Sequence, residues 1–311
     1  MAVARRLTEY AVLSASGHNT QPWRVRILDD SIRVEPEQSR VLRFGGVDGA
    51  EPHVSLGAFA ETFLLAGRGF GIAAKCDYGG SDATIRLKNE IGEAEPQLLD
   101  AICHRHSNRR PFDVAPLAPE VVAQLEDAEI DGASVTFVSD RDGIEFIADQ
   151  TEIATREIMA LPEFRRELAE WIRNNLTRQP DGMPGFTQGM PTPLSLVAPL
   201  VIRSLNIGKY QAKTDAYRAR QSSVLAILRA GSAVPDAMFA VGRLFSRLAV
   251  QAGVLGLSTS AIASPVVAGQ TSASVCERFS LQDVPVVVMR IGRSDVQARP
   301  TPRRMAVDVI V

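Results

Sequence analysis

Ser16-Gly17-His18-Asn19-Thr20-Gln21-Pro22-Trp23-Arg24-Val25-Arg26-Ile27, residues 16–27, begins as a polar loop and ends as an alternating strand. Ahead of it, residues 4–16 read as an amphipathic helix that stops before Gly17. Behind it, the strand over 23–28 turns at Asp29-Asp30 and returns over 31–35, a hairpin. The loop therefore lies where a helix hands over to a sheet. Its Ser, Asn and Gln side chains offer donors and acceptors together, the inventory that a flat heterocycle of mixed edge polarity needs. A turn whose Asn and Ser bond their own backbone uses the same residues. On the residues alone, both readings stay open.

Further out, Val54, Leu56, Phe59, Phe63, Leu64, Leu65 and Phe70 make residues 53–74 a helix that is apolar on nearly every side. Such a helix belongs in a core or a tight interface. Residues 83–88 alternate like a strand. A second round starts near 96, with helices over 96–104 and 118–129, a strand over 134–138, and helices over 141–160 and 162–176. Residues 179–193, QPDGMPGFTQGMPTP, hold four prolines and three glycines and cannot be regular structure. They read as a surface linker or, through Met183, Phe186 and Met190, as a lid. Helices resume over 210–230 and 235–253. Residues 255–263 are strand-like, and 284–291, VPVVVMRI, should form a central buried strand. The tail PTPRRMAVDVIV reads as extended.

Arg105-His106-Ser107-Asn108-Arg109-Arg110-Pro111-Phe112 is the second segment with chemistry. Pro111 keeps Arg110 out of the helical region. In an extended chain, 105, 107 and 109 share one side. Two guanidiniums and a hydroxyl there form a phosphate cradle; a solvated basic turn is the other reading. Arg290, Arg293, Arg299, Arg303 and Arg304 cluster after the last strand, where a phosphate at the sheet edge and a soluble basic tail are both open.

Composition narrows the class. The chain has 311 residues, 45% hydrophobic and 23% charged, with net charge −2. It has length for a large core, and no basic excess argues for nucleic acid or an anionic membrane. Three widely spaced cysteines, Cys76, Cys103 and Cys276, suit a reducing cytoplasm rather than a disulfide framework. Dinucleotide, Walker and GxSxG patterns are absent, and Cys103-His104-x-His106 lacks the partners a metal site needs.

In combination these segments resemble the FMN-dependent nitroreductase superfamily. ASGHNTQPWRVRI is similar to its flavin-contacting segment and RHSNRRPF to its Arg-x-Ser-x-Arg phosphate segment. LGAFAETFLLAGRGFGIAA resembles its interface helix, AGVLGLSTSAIA the strand beside the isoalloxazine, and VPVVVMRIGRS with PTPRR its closing strand and tail. The order, with Asn-Gln-Pro-Trp before Arg-Ser-Arg, resembles the Acg-type subfamily, in which one chain fuses two nitroreductase-like halves.

The resemblance implies an α+β fold of three α/β/α layers with a mixed, mainly antiparallel sheet in two pseudo-symmetric halves. These would be residues 1–95 and 96–311, the second with a lid insertion over about 177–208. It implies one FMN bound at their junction by a monomer that imitates a dimer, or by a homodimer. Arg105, Ser107, Arg109 and Arg303 would hold phosphate and ribityl groups. Ser16, His18, Asn19 and Gln21 would reach the ring, with Ser258 and Thr259 near its reactive edge. No side chain is required as a general acid or base, and no metal is implied. The activity implied is ping-pong hydride transfer from NAD(P)H through the flavin to a nitroaromatic or quinone. Three positions depart from the pattern. Ala15 stands for the usual Pro, Thr301 for a lysine, and Leu257-Ser258-Thr259 for the acidic-glycine pair. With the lid-like segment, the last departure also admits FMN storage, sequestration or sensing with little NAD(P)H-dependent activity.

Overall fold

Thr8, Leu7, Ala4 and Ala11 lie on one side of the first helix, and that side is buried; the helix, α1, is Ala2–Ala11. It ends before residue 16, and Ser16 is already extended (φ −150°). The computed structural model describes residues 1–44 and 49–311. The expected hairpin is β1 (Trp23–Ile27) and β2 (Ser31–Pro36), antiparallel with Val25 opposite Val34. The apolar helix is α2 (Glu51–Gly69). It stops short of residue 74 because Gly71, at φ +72°, turns the chain into a strand, β3 (Ile72–Tyr78). With β4 (Ala83–Ile91), these strands form a four-stranded antiparallel sheet in the order β1-β2-β4-β3.

Next come α3 (Pro96–His104), α4 (Pro119–Glu126) and β5 (Ala133–Val138). Helix α5 (Arg141–Ala160) starts at Asp140, whose carboxylate accepts from the Gly143 amide at 2.7 Å. After α6 (Pro162–Trp171), the short strands β6 (Ile172–Arg173) and β7 (Met183–Pro184) pair in parallel. The 162–176 helix is thus shorter than expected, and the Pro/Gly-rich segment contains one small strand. Helices α7 (Thr192–Ser204) and α8 (Gly208–Arg220) precede β8 (Val224–Ala230).

The reading of 210–230 as one helix is corrected here. Val224-Leu225-Ala226-Ile227-Leu228 is buried on both faces, so its sequence lacks the alternation that marks a half-exposed strand. Then follow α9 (Pro235–Val254), β9 (Ser258–Ile262), α10 (Ser264–Val267), α11 (Gly269–Arg278), β10 (Val284–Gly292) and α12 (Ala306–Val309). The second sheet is antiparallel, in the order β5-β8-β10-β9. Strand β10 is buried and internal, as its composition predicts. The architecture is α+β, with two antiparallel four-stranded sheets. Among the described residues, no helix is long and apolar enough to cross a membrane.

The two sheets meet through α2 and α9. A Cβ at Gly57 would strike the Phe239 carbonyl oxygen, and one at Gly242 the Val54 carbonyl oxygen, so both glycines permit backbone contact. Thr62 and Ser246 hydroxyls meet at 2.7 Å across this crossing. Fully buried Glu61 accepts from Arg243 Nε (2.9 Å) and Arg247 Nε (2.7 Å). Phe239 and Val250 of α9 pack into the core under the first sheet, while Ala50 and Val54 reach the core under the second. Neither core is complete without the other half.

Candidate functional site

Beyond α3 the chain is extended from Arg105 (φ −67°, ψ 111°). Ser107 forms a single parallel bridge with Thr259, and the Asn108 amide donates to the Thr259 carbonyl at 2.9 Å. The Asn108 side chain, 1% exposed, fixes this run. Its Nδ2 donates to Ser258 Oγ (3.2 Å), Ser294 Oγ (3.2 Å) and the Val296 carbonyl (2.8 Å). Its Oδ1 accepts from the Arg110 amide at 3.0 Å. Sequence reasoning passed over Asn108, since a buried amide that fills all its bonds has no pattern of its own. Ser258 and Thr259 therefore hold the Arg-Ser-Arg run against β9.

Arg105 is 8% exposed, and its Nη2 donates to the Leu13 carbonyl at 2.8 Å. Arg303, from the tail, donates from Nη1 to the Ser14 carbonyl at 2.7 Å. The two lie close enough to repel: burial pulls Arg105 down to about 10, and burial with Arg105 pulls Arg303 down to about 9. Among the described residues, no carboxylate offsets either charge. His106, beside them, is pushed to about 4 by burial and then by these two arginines, so it is neutral at pH 7. Two adjacent guanidiniums without an acid, each anchored by one carbonyl, are suited to an oxyanion.

A cavity of about 390 Å³ lies between the loop after α1, the N-terminus of α2, strand β9 and helices α5 to α8; Ser107 and Arg109 line it, and Arg105 and Arg303 do not. Ser16, His18, Ser107, Arg109 and Arg290 supply its polar wall; Phe164, Met159, Met183 and Phe245 are among its apolar walls. His18 is brought in by a left-handed turn, with φ +48° at His18, +57° at Asn19 and +53° at Gln21. Burial, then Arg109, lowers its pKa to about 4. The cavity thus combines a largely apolar lining with neutral imidazole, hydroxyl, guanidinium and carboxyl groups.

Of the residues expected from sequence, Ser16, His18, Ser107 and Arg109 line this cavity, whereas Arg105 and Arg303, held on the Leu13 and Ser14 carbonyls, do not. Asn19 and Gln21 turn elsewhere. Asn19 Nδ2 donates to the carbonyls of Gly182 and Pro302, both at 2.9 Å. Gln21 Nε2 donates to the Pro180 carbonyl (2.8 Å), and its Oε1 accepts from the Arg304 amide (2.8 Å). Both amides bind the 180–183 segment or the tail to the loop. Asn19 Oδ1 remains buried without a partner.

Asp181, 7% exposed, takes Arg40 Nη1 at 2.9 Å and Arg173 Nη2 at 2.8 Å. Both guanidiniums lie over the Trp171 ring. Met183 Sδ then sits 3.7 Å from Arg109 Nη2. Met183, Gln188 and Met190 of the same run line the cavity.

Glu51 also lines the cavity and went unremarked in the sequence, where it is one acid at a helix start. Its Oε1 accepts from the Gly17 amide (3.0 Å) and Ser55 Oγ (2.5 Å), and its Oε2 is buried without a partner. Burial raises its pKa to about 7, against the opposing pull of those donors.

No family model matches the chain. Two curated proteins of Mycobacterium tuberculosis are similar to it along nearly its whole length. They are "Putative NAD(P)H nitroreductase Rv3131" of strain ATCC 25618 / H37Rv and "Putative NAD(P)H nitroreductase MT3217" of strain CDC 1551 / Oshkosh. Each is 26% identical over 324 residues, covering 98% of this chain and 90% of its own. Among solved structures, the chain is similar to the FMN and NADPH-dependent nitroreductase NfnB from sphigopyxis sp. strain HMH. That match has 18% identity and a TM-score of 0.45, over 69% of this chain and 97% of that one. A nitroreductase in complex with FMN from Desulfovibrio desulfuricans gives 14% identity and a TM-score of 0.41, over 69% and 95%.

Proposed function

We propose that this chain is an FMN-dependent NAD(P)H oxidoreductase of the nitroreductase class, built from two nitroreductase-like halves, residues 1–95 and 96–311. The observation that carries the reading is the Arg105–Arg303 pair, two guanidiniums without an acid among the described residues, held on the Leu13 and Ser14 carbonyls just ahead of Ala15 and Ser16 in the wall of a largely apolar cavity. The full-length similarity to two proteins named as NAD(P)H nitroreductases supports it. The reciprocal Gly57–Gly242 crossing supports the two-half construction, each half completing the other's core as subunits of a dimer do.

The residues fit the cofactor. A phosphate monoester answers the uncompensated charge of Arg105 and Arg303, with Ser107 as a further donor. A flat ring system answers the cavity, whose largely apolar lining includes Ser16 and His18. FMN, when bound, supplies hydride transfer between nicotinamide and an electron-poor acceptor. The chain's part is to bind, orient and exclude water. Neutral His18 offers one donor and one acceptor. Asn19 and Gln21 act at one remove, holding the cover and the tail against the loop. Ser258 and Thr259 keep the Arg-Ser-Arg run in register.

Anaerobic NADPH titration of the purified protein tests this. Flavin absorbance present at the start and bleached by NADPH is the expected result; a protein that takes up no FMN refutes it. We read the 180–190 run, tied down through Asp181, Asn19 and Gln21, as a latched cover on the cavity; it favours a second reading, FMN sequestration, in which dithionite bleaches the flavin and NADPH does not.

A further inference from the structure

Arg290 lies near the C-terminal end of β10, 1% exposed, with its guanidinium carbon 4.1 Å from the Phe112 ring centroid. Nε donates to Ser222 Oγ (3.0 Å), and Nη2 to the carbonyls of Gln221 (2.7 Å) and Arg110 (3.2 Å). Nη1 is buried and has no partner, and the residue lines the cavity. Arg109 and Arg218 line the same end. Among the described residues, the one hydrogen-bond partner of the Arg109 guanidinium is the Met183 sulfur. Arg218 donates to Asp215 and to Gln188 Oε1, both at 3.1 Å. Asp215, whose carboxylate is also bonded by Gln211 Nε2 (3.0 and 2.9 Å), is the one acid of the group. Three guanidiniums face one carboxylate, and that carboxylate is already shared.

We propose that Arg290 and Arg109, backed by Arg218, form a second oxyanion site that binds the carboxylate of an acidic electron acceptor under the 183–190 cover. The inference rests on the reading above, which places the cofactor phosphate at Arg105 and Arg303 and so leaves this pole to another anion. The unpartnered Nη1 of Arg290 and the guanidinium of Arg109 match the two oxygens of a carboxylate. Burial and mutual repulsion weaken the hold of Arg290 and Arg109 on their protons, as expected of cations awaiting a counter-ion. Met183 and Met190 supply the apolar surface on which an aromatic acid would lie.

Calorimetric titration of the full-length protein, its flavin content recorded, compares 4-nitrobenzoate with uncharged, near-isosteric 4-nitrobenzamide. The benzoate should bind about tenfold tighter or more, as a buried charge-assisted bond requires. Arg290→Met should abolish that preference while FMN content and benzamide affinity hold. Arg290→Lys should keep part of it. If these variants fail to fold, the wild-type preference and its weakening with salt decide alone. Equal binding of the two ligands, or binding of neither, overturns the proposal. So does loss of FMN in a folded Arg290→Met, because the pole would then serve the cofactor phosphate. A protein that carries no FMN but still prefers the benzoate keeps the anion site and removes only the flavin reading.

Discussion

Replacing Arg105 with Met should move cofactor affinity and apo-protein stability in opposite directions. Arg105 is buried with pKa about 10 instead of 12.5, so keeping it charged at neutral pH costs the empty protein roughly 3 kcal/mol. Its bond to the Leu13 carbonyl returns about 1 kcal/mol. Met fills much of the same volume without the charge, so the apo-protein should gain about 2 kcal/mol and a few degrees in Tm. Binding moves the other way. One lost charge-assisted bond to a phosphate is worth about 1.5–3 kcal/mol, or roughly 10- to 150-fold in Kd. The assay is paired: thermal unfolding of flavin-stripped protein, and FMN fluorescence quenching for Kd. A variant that binds FMN as tightly as wild type refutes the phosphate assignment. A stripped variant that unfolds several degrees lower makes Arg105 a structural clamp and refutes the reasoning from unpaired charge.

Glu51→Gln should flatten the pH dependence of stability. The folded pKa of Glu51, about 7, lies above the ordinary 4.5, so its contribution is full below 4.5 and is lost as pH rises through 7. At pH 8 the variant should be about 3 kcal/mol more stable than wild type, read by urea titration at pH 5 and pH 8. Gly242→Ala should cost about 1–3 kcal/mol, because its Cβ meets the Val54 carbonyl of the crossing helix, whereas Gly269→Ala, in open space, should be neutral or slightly stabilising; chemical denaturation ranks them. Asp181→Asn should unlatch the cover, since stripping one member of a buried charge pair costs about 3–5 kcal/mol. Trypsin cleavage at Arg178 should accelerate, and if the cover gates the flavin, its bleaching by NADPH should accelerate as well.

What could be read from the sequence was local and periodic. The 23–36 hairpin declares itself through alternation, and VPVVVMRI through β-branched residues. Strand β8 does not, because Leu, Ala and Ile buried on both faces carry neither a period of two nor a period of 3.6. Strand β3 was absorbed into the preceding helix because Ile72-Ala73-Ala74 continues its apolar run, and the break lies in the dihedral of Gly71. In the site, Arg105, Ser107 and Arg109 were visible as an alternating polar run. Asn108, which aligns them, and Glu51, 34 residues from the Gly17 amide it caps, depend on tertiary contacts that no local pattern encodes.

The strained loop explains why cover and cavity should behave as one unit. Three non-glycine residues at positive φ, His18, Asn19 and Gln21, cost of order 1–3 kcal/mol each and persist only where their surroundings over-determine them. Here the surroundings are the cover and the tail: Gly182 and Pro180 through the two amides, Arg304 and Pro302 from the C-terminus. Releasing the 180–183 segment removes bonds from Asn19 and Gln21 together and leaves the turn that presents His18 without part of its support. Opening of the cover and relaxation of His18 away from the cavity should therefore be a single event. Hydrogen exchange should show the amides of Asn19 and Gly182 opening with one free energy, in wild type and in Asp181→Asn alike. Independent opening of the two would mean that the turn is held by its own backbone, and that the cover is a passenger rather than a support.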